Sequence, residues 1–105
     1  MGTLEYDSKL SAEFDDRTLA HLQVVIWSKL RRGEHFAFTW TDEKAAPPRT
    51  SVWCSPTIPM TFQFEQADMP ELNPHWLELL TKAANSAGGL RLLPEPTADG
   101  SPRTA

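Results

Sequence analysis

Apolar and polar residues alternate along four segments of the chain, and a period of two residues is typical of half-buried strands. The segments are 3–14, 36–41, 50–55 and 58–65. The first is long enough for two strands, because Asp7-Ser8 supplies a turn near its middle. The pattern therefore predicts a hairpin followed by three further strands.

The last two of these segments also indicate which side faces the interior. In the third, Val52 and Cys54 lie on one side of the strand, whereas Ser51 and Trp53 lie on the other. Pro59 stands near the start of the fourth segment. Since proline cannot donate a hydrogen bond to a neighbouring strand, we expect this strand at a sheet edge or starting at the proline.

Residues 16–32 show the spacing of three and four that is typical of a helix, with Asp15 or Asp16 as N-cap and Gly33 after its end. The apolar positions are Leu19, Leu22, Ile26 and Leu30, with Ala20, Val24 and Trp27 in a second row. So wide a stripe either lies deep on a sheet or shares one flank with a partner. In the second case, Val24 and Trp27 are the expected protein interface.

A second helix is predicted after Asn73, an N-cap residue that is followed by Pro74 at the first helical position. Gly88-Gly89 ends this helix, and Leu90 and Leu92 suggest a short last strand. The order ββαβββα(β) predicts an α+β fold, with a mostly antiparallel sheet of about five strands carrying two helices.

The chain has 105 residues, a length that suits one domain, and we place that domain at residues 1–94. Residues 95–105 are rich in Pro, Thr, Gly and Ser, so we expect a disordered tail there. The net charge of -4 argues against a free-standing nucleic-acid binder, which is more often basic. No signal peptide or membrane span is recognisable, so a cytoplasmic location without membrane contact is expected.

The sequence contains no recognisable catalytic or metal motif, and we predict a protein without enzyme activity, metal or cofactor. The three histidines and Cys54 lack the close spacing of metal ligands. Cys54 is the only cysteine, which excludes an intramolecular disulfide. It is either a thiolate nucleophile that the fold brings next to a histidine or, as we prefer, a small buried residue.

Basic and aromatic residues at the end of the first helix and on the strands that follow suggest one binding surface. Lys29, Arg31, Arg32, Arg49 and Trp53 are the candidates for contact with a nucleic acid. Arginines hold phosphates and a neighbouring aromatic ring stacks on bases. The alternative is that these residues have only structural roles, because cations favour the C-terminal end of a helix and tryptophans belong to the core.

A resemblance to known proteins rests on the stretches 15–26, 29–34, 56–59, 76–78 and 88–90 leading to 94–96. These stretches resemble a family of small, uncharacterised actinobacterial proteins, whose members often carry the label ATP-dependent DNA ligase. Ligases of that kind become adenylated on the lysine of a Lys-x-Asp-Gly motif, and the nearest string here begins with Thr97. Threonine cannot form that phosphoramidate, so we expect no ligase activity.

Two functions are therefore expected. The first is a small non-catalytic binding or accessory domain that acts through protein–protein contacts, with a homodimer as one form. The alternative is an accessory protein associated with nucleic acid, in DNA repair or processing, without ligase activity.

Overall fold

A hairpin opens the chain, as the alternation predicts, and the computed structural model describes residues 1–97. Strand β1 (Gly2–Tyr6) pairs antiparallel with strand β2 (Leu10–Phe14). Asp7 and Ser8 form the turn with φ of 54° and 57°. Aspartate and serine suit a tight turn because their side chains bond to nearby backbone, and aspartate also tolerates the left-handed region.

Helix α1 (Asp16–Arg31) follows directly and is capped as predicted. A carboxylate oxygen of Asp15 accepts a hydrogen bond from the backbone N–H of Thr18 at 3.1 Å, which satisfies one of the free donors of the first turn. Gly33 then adopts a φ of 74°, which glycine reaches without strain, so the helix ends just before it.

Three strands come next, at nearly the predicted positions: β3 (Phe36–Thr41), β4 (Arg49–Cys54) and β5 (Met60–Gln63). Strand β5 is shorter than the predicted 58–65. Ile58 is part of a turn, since its N–H donates to the carbonyl oxygen of Ser55 at 3.0 Å. After the strand, the N–H groups of Glu65 and Gln66 donate to the carboxylate of Asp16 rather than to a strand.

Helix α2 (Pro74–Ala84) begins at the predicted cap, where Asn73 accepts hydrogen bonds from the N–H groups of His75 and Trp76. The last strand, β6 (Leu90–Arg91), forms after Gly89, which has a φ of 79°. A Cβ atom at Gly89 would lie 2.7 Å from the carbonyl oxygen of Ala37, so glycine allows this segment to lie close beside β3.

The α+β class and the order of elements are confirmed, but the prediction of one sheet is wrong. Within residues 1–97, six strands form two three-stranded sheets: sheet A has the order β2-β1-β5 and sheet B the order β4-β3-β6. All pairs are antiparallel except β3 with β6, which are parallel. The split arises because β5 pairs with β1 and not with β4, its neighbour in sequence.

The two sheets and both helices share one core. Phe14 of sheet A packs against Phe38 of sheet B, with ring centroids 6.5 Å apart, and the hydroxyl of Tyr6 donates to the carbonyl oxygen of Trp53 at 2.7 Å. The buried residues that fill this core include Leu4, Leu19, Leu22, Ile26, Phe36, Leu80 and Leu90. No helix within residues 1–97 is both long and apolar enough to cross a membrane.

The packed chain continues past the predicted boundary at residue 94. Glu95 accepts hydrogen bonds from Arg17, and the buried Pro96 accepts one from the side chain of Asn73 at 3.1 Å. Residues 98–105 of the predicted tail lie outside the described part of the chain, so their disorder stays a prediction.

Candidate binding surfaces

The outer side of helix α1 exposes a tryptophan beside sheet A. Trp27 is 49% exposed, and its ring meets Phe62 of β5 edge to face, with centroids 5.8 Å apart and planes at 87°. Val24, one turn earlier on the helix, is half-buried. Since Phe62 is only half-buried as well, an apolar strip reaches the surface here. We call Val24, Trp27 and Phe62, with the neighbouring edge of β5, the Trp27 surface.

Strand β5 presents an open edge next to this tryptophan. Within the described residues it pairs on one side only, with β1. The carbonyl oxygen of Pro59 accepts from the N–H of Asp7 at 2.8 Å, so odd-numbered residues of this strand point their backbone groups toward β1. By the same alternation, the N–H and C=O groups of Met60 and Phe62 point away from the sheet.

Opposite charges stand at the two ends of the Trp27 surface. Asp16 lies one helical turn before Ala20 in the row that leads to Val24 and Trp27, and Arg31 lies one turn after Trp27. Backbone N–H groups of Gln66 and Glu65 lower the pKa of Asp16, which keeps it ionised. Glu65 pairs with the amino group of Met1, and Arg31 makes no ion pair within the described residues.

A second surface lies on the outer face of sheet B, and its three strands contain no acidic residue. Trp53 is 56% exposed, with the ring of His35 6.3 Å away. On the same face, Thr39 and Ser51 share a hydrogen bond of 2.7 Å across β3 and β4. The face is completed by Arg49 and Arg91. We call these six residues the Trp53 face.

The two arginines flank the centre of that face. Arg49 lies opposite Thr41 on one side of β3, and Arg91 lies opposite Thr39 on the other. A groove of about 430 Å³ runs between them. The groove is open and carries two positive charges, in contrast to the net charge of -4 of the whole chain.

The structure separates the five residues that the sequence suggests for nucleic-acid contact. Arg49 and Trp53 share one face, whereas Arg31 and Arg32 are exposed at the end of α1. Lys29 is corrected from a surface cation to a buried one, with 4% exposure. Its ammonium group donates to Glu34 at 2.9 Å and to Asn85 at 2.5 Å, so its charge is compensated internally.

A buried polar cluster, which the sequence pattern missed, fastens the first half of α1. His21 is fully buried: its Nε2 accepts from the backbone N–H of Asn73 at 2.8 Å, so Nδ1 carries the proton and donates to the carbonyl oxygen of Arg17 at 2.7 Å. Glu95 in turn receives two hydrogen bonds from Arg17 and one from the Asn73 side chain. We call these four residues the polar clamp.

The clamp is structural in its geometry, because each of its polar groups is directed at another part of the fold. Its donors and acceptors join α1, the cap of α2 and the segment after β6. The ring of His21 also packs on Trp76, with centroids 4.5 Å apart. Only the long-range contacts identify it, since the four side chains are spread over residues 17–95.

Cys54 lies on the inner face of β4, as preferred from the sequence, and is completely buried. Burial raises the pKa of its thiol to about 12, so the nucleophilic thiolate is disfavoured. Within residues 1–97, no three His, Cys, Asp or Glu side chains come close enough together to hold a metal ion.

Arg91 and Phe62 are the two surface residues that sequence reasoning missed. A strand signal at Leu90 and Leu92 implied an outward Arg91, but its neighbour across the sheet cannot be read from a local pattern. The alternation places Phe62 in a strand, but no local pattern indicates that Trp27 of the helix covers it.

No curated protein and no solved structure matches this chain. A family model described as Domain of unknown function (DUF7882) matches residues 1–95, which include both surfaces and the polar clamp. The chain therefore belongs to the DUF7882 family.

Proposed function

We propose that this protein is a small, non-catalytic binding or accessory domain that acts through protein contacts at the Trp27 surface. The observation that carries the proposal is a half-exposed Trp27 standing on Phe62 beside a strand edge that no described residue pairs with. Tryptophan is enriched among the residues that dominate binding energy, because its large ring buries much apolar area at little entropic cost.

Three properties of the surface favour binding over incidental exposure. The tryptophan is adjacent to other half-buried apolar side chains, so the exposed area is continuous. The neighbouring edge offers backbone donors and acceptors to an added strand. From Ile58 to Phe64 the chain carries no charged side chain of the kind that usually protects an edge.

A photo-crosslinking amino acid at position 23, on the same helix face as Trp27, would test the proposal in native cells. A captured protein is then purified and its affinity measured by calorimetry. We expect Trp27→Ala to weaken this affinity at least about tenfold, as for a residue at the centre of an interface. The matched control Trp53→Ala removes an equally exposed ring from the other side. Equal affinity of the Trp27→Ala variant would refute the proposal.

A second candidate function is supported by the Trp53 face: an accessory role on single-stranded nucleic acid. An exposed aromatic ring on the same sheet face as two arginines, whose three strands carry no acidic residue, combines base stacking with phosphate contact. This reading keeps Arg49 and Trp53 from the sequence-based set and adds Arg91. Arg31 and Arg32 lie at the end of α1, and Lys29 takes no part because it is buried.

The test is a titration of labelled single-stranded DNA and RNA at low and at physiological salt. We expect the double variant Arg49→Ala/Arg91→Ala to bind more weakly and to reduce the slope of log affinity against log salt by about 1 per arginine. The double variant Lys9→Ala/Lys82→Ala, which removes two exposed cations elsewhere, is the control. Binding that is absent at low salt removes this candidate.

We further propose that the protein is cytoplasmic and that it is one of the small actinobacterial proteins it resembles. We also propose that it lacks ATP-dependent DNA ligase activity. None of its four lysines begins a Lys-x-Asp-Gly motif. Incubation with labelled ATP, followed by denaturing electrophoresis, tests the last point: a covalent adenylate would contradict it.

A further inference from the structure

We infer that the partner at the Trp27 surface is a second copy of this chain, paired antiparallel along β5 about a two-fold axis that passes beside Phe62. This inference rests on the proposed function and names its partner. It joins the two copies of sheet A into one continuous six-stranded sheet, with the two Trp27 side chains on the same side of it.

The direction of the backbone groups selects the residues that pair. Met60 and Phe62 point their N–H and C=O groups to the free edge, since Pro59 accepts from Asp7 on the inner side. The backbone N–H and C=O groups of Phe64 point to the free edge as well, because it is two residues after Phe62. In an antiparallel ladder, residues that exchange hydrogen bonds in this way must oppose one another. Even-numbered residues of one copy therefore face even-numbered residues of the other.

The side-chain pattern then selects the register. Placing Phe62 opposite Phe62 of the second copy also sets Met60 opposite Phe64, so all apolar side chains stay on the helix side. Thr61 and Gln63 stay on the solvent side. A slip by one residue would place apolar against polar faces. A shift of the register by two residues would leave one of the outward-pointing residues without a partner in the other strand, and its pair of hydrogen bonds would not form.

The charge distribution favours a second copy over an unrelated strand. Asp16 binds the backbone just after β5 and Trp27 stands on Phe62 within the strand, so α1 starts near the end of β5 and Arg31 lies one helical turn beyond Trp27. A two-fold axis at Phe62 brings the Asp16 end of one copy toward the Arg31 end of the other, and the reverse. An interface whose ends carry opposite charge is self-complementary under this symmetry.

The first test is the mass of the purified full chain by sedimentation across a range of concentrations. We expect a species of twice the 11.8 kDa chain mass that Trp27→Glu converts to the monomer. Trp53→Glu, which places the same charge on the other exposed tryptophan, should leave the dimer intact. A monomer at every concentration overturns the inference, and so does a dimer that Trp27→Glu does not weaken.

The second test fixes the register without disturbing the apolar side. In the proposed pairing, Thr61 faces Gln63 of the second copy at a pair without mutual hydrogen bonds, where Cα atoms lie about 4.5 Å apart, within disulfide range. A mixture of Thr61→Cys and Gln63→Cys should form an intermolecular disulfide in a redox buffer, and neither variant alone should. The native Cys54 is buried and serves as an internal control.

The disulfide experiment tests the register and the pairing of the two strands separately. Crosslinking by either single variant overturns the register, and no crosslink in the mixture overturns the pairing. Ser11→Cys, on the exposed β2, measures crosslinking by random collision. If the chain is monomeric but the photo-crosslinker at position 23 captures another protein in a Trp27-dependent way, the dimer fails and the proposed function stands. If neither is found, both fail.

Discussion

The two sides of helix α1 differ in whether their side chains have partners within the fold. On the inner side, His21 and Lys29 are polar yet buried, and both ring nitrogens of His21 and the ammonium group of Lys29 have hydrogen-bond partners in the fold. On the outer side, Val24, Trp27 and Arg31 are apolar or charged, and much of their surface has no partner within the described residues. Both sides belong to the same sixteen-residue helix.

This difference separates groups that maintain the fold from groups that are free to bind. Burying a polar group is tolerated only when its hydrogen bonds are replaced, so the inner side has no capacity left for a ligand. Exposing a large aromatic ring beside half-buried neighbours leaves apolar area in water. The comparison predicts that substitutions inside will reduce stability and that substitutions outside will reduce binding.

The largest effect on stability is expected for His21→Ala. The change leaves the backbone N–H of Asn73 without its acceptor and opens a cavity beside Trp76, so the free energy of unfolding should fall by about 3 kcal/mol. Urea denaturation measures it, with His75→Ala, at a half-buried position of α2, as control. An equal loss in both variants would break the distinction between the two sides.

A smaller loss is expected for Glu95→Gln. The amide keeps the size of the side chain but removes the charge that pairs with Arg17 at 2.6 Å. Since the Arg17 side chain is 39% exposed, water screens the pair, and we expect a loss of about 1 kcal/mol. The exposed Glu78→Gln serves as control, and its stability should not change.

Trp27→Ala sharpens the comparison because its two readouts should diverge. The ring is half exposed, so losing its contact with Phe62 should lower the free energy of unfolding of the monomer by only about 1 kcal/mol. Dimerisation measured by sedimentation should be lost in the same variant. A large loss of stability without a change in mass would identify Trp27 as a core residue.

Trp53→Ala should alter stability least, by less than about 0.5 kcal/mol, because its ring is exposed and its hydrogen bond to Tyr6 uses the main chain. The same urea titration measures it. A loss as large as that of His21→Ala would mean that the Trp53 face is structural.

A last, smaller effect concerns pH. Lys29 and Arg32 lower the pKa of Glu34 from its usual value of 4.5. Since the folded value is the lower one, the stabilisation is fully present above pH 4.5 and is lost as the pH falls through the folded value. Glu34→Gln should flatten the stability curve in this acidic range. An unchanged slope would show that Lys29 does not depend on this carboxylate.

Local patterns predicted most of the elements because their causes are local. Asp15 and Asn73 cap helices through hydrogen bonds to residues two or three positions later. The alternation of Val52 and Cys54 with Ser51 and Trp53 identified the buried face of β4. Such signals need no knowledge of the rest of the fold.

The functional surfaces were only partly predictable. Val24 and Trp27 were selected because the apolar stripe of α1 is wider than one contact requires, and that choice depends on the helix alone. Lys29 was misplaced because its burial depends on Asn85, far away in sequence. The grouping of Arg49 with Arg91 needs β3 between their strands.

The sequence by itself determined which residues form helices and strands, in what order, and which side of each element is apolar, since periodicity and capping act over a few residues. Only the tertiary structure decided that the strands divide into two sheets, that β6 runs parallel to β3, and that Trp27 stands over Phe62. These arrangements depend on contacts between distant segments, and the free energies of alternative contacts compete across the whole chain. No local pattern indicates which of these contacts forms.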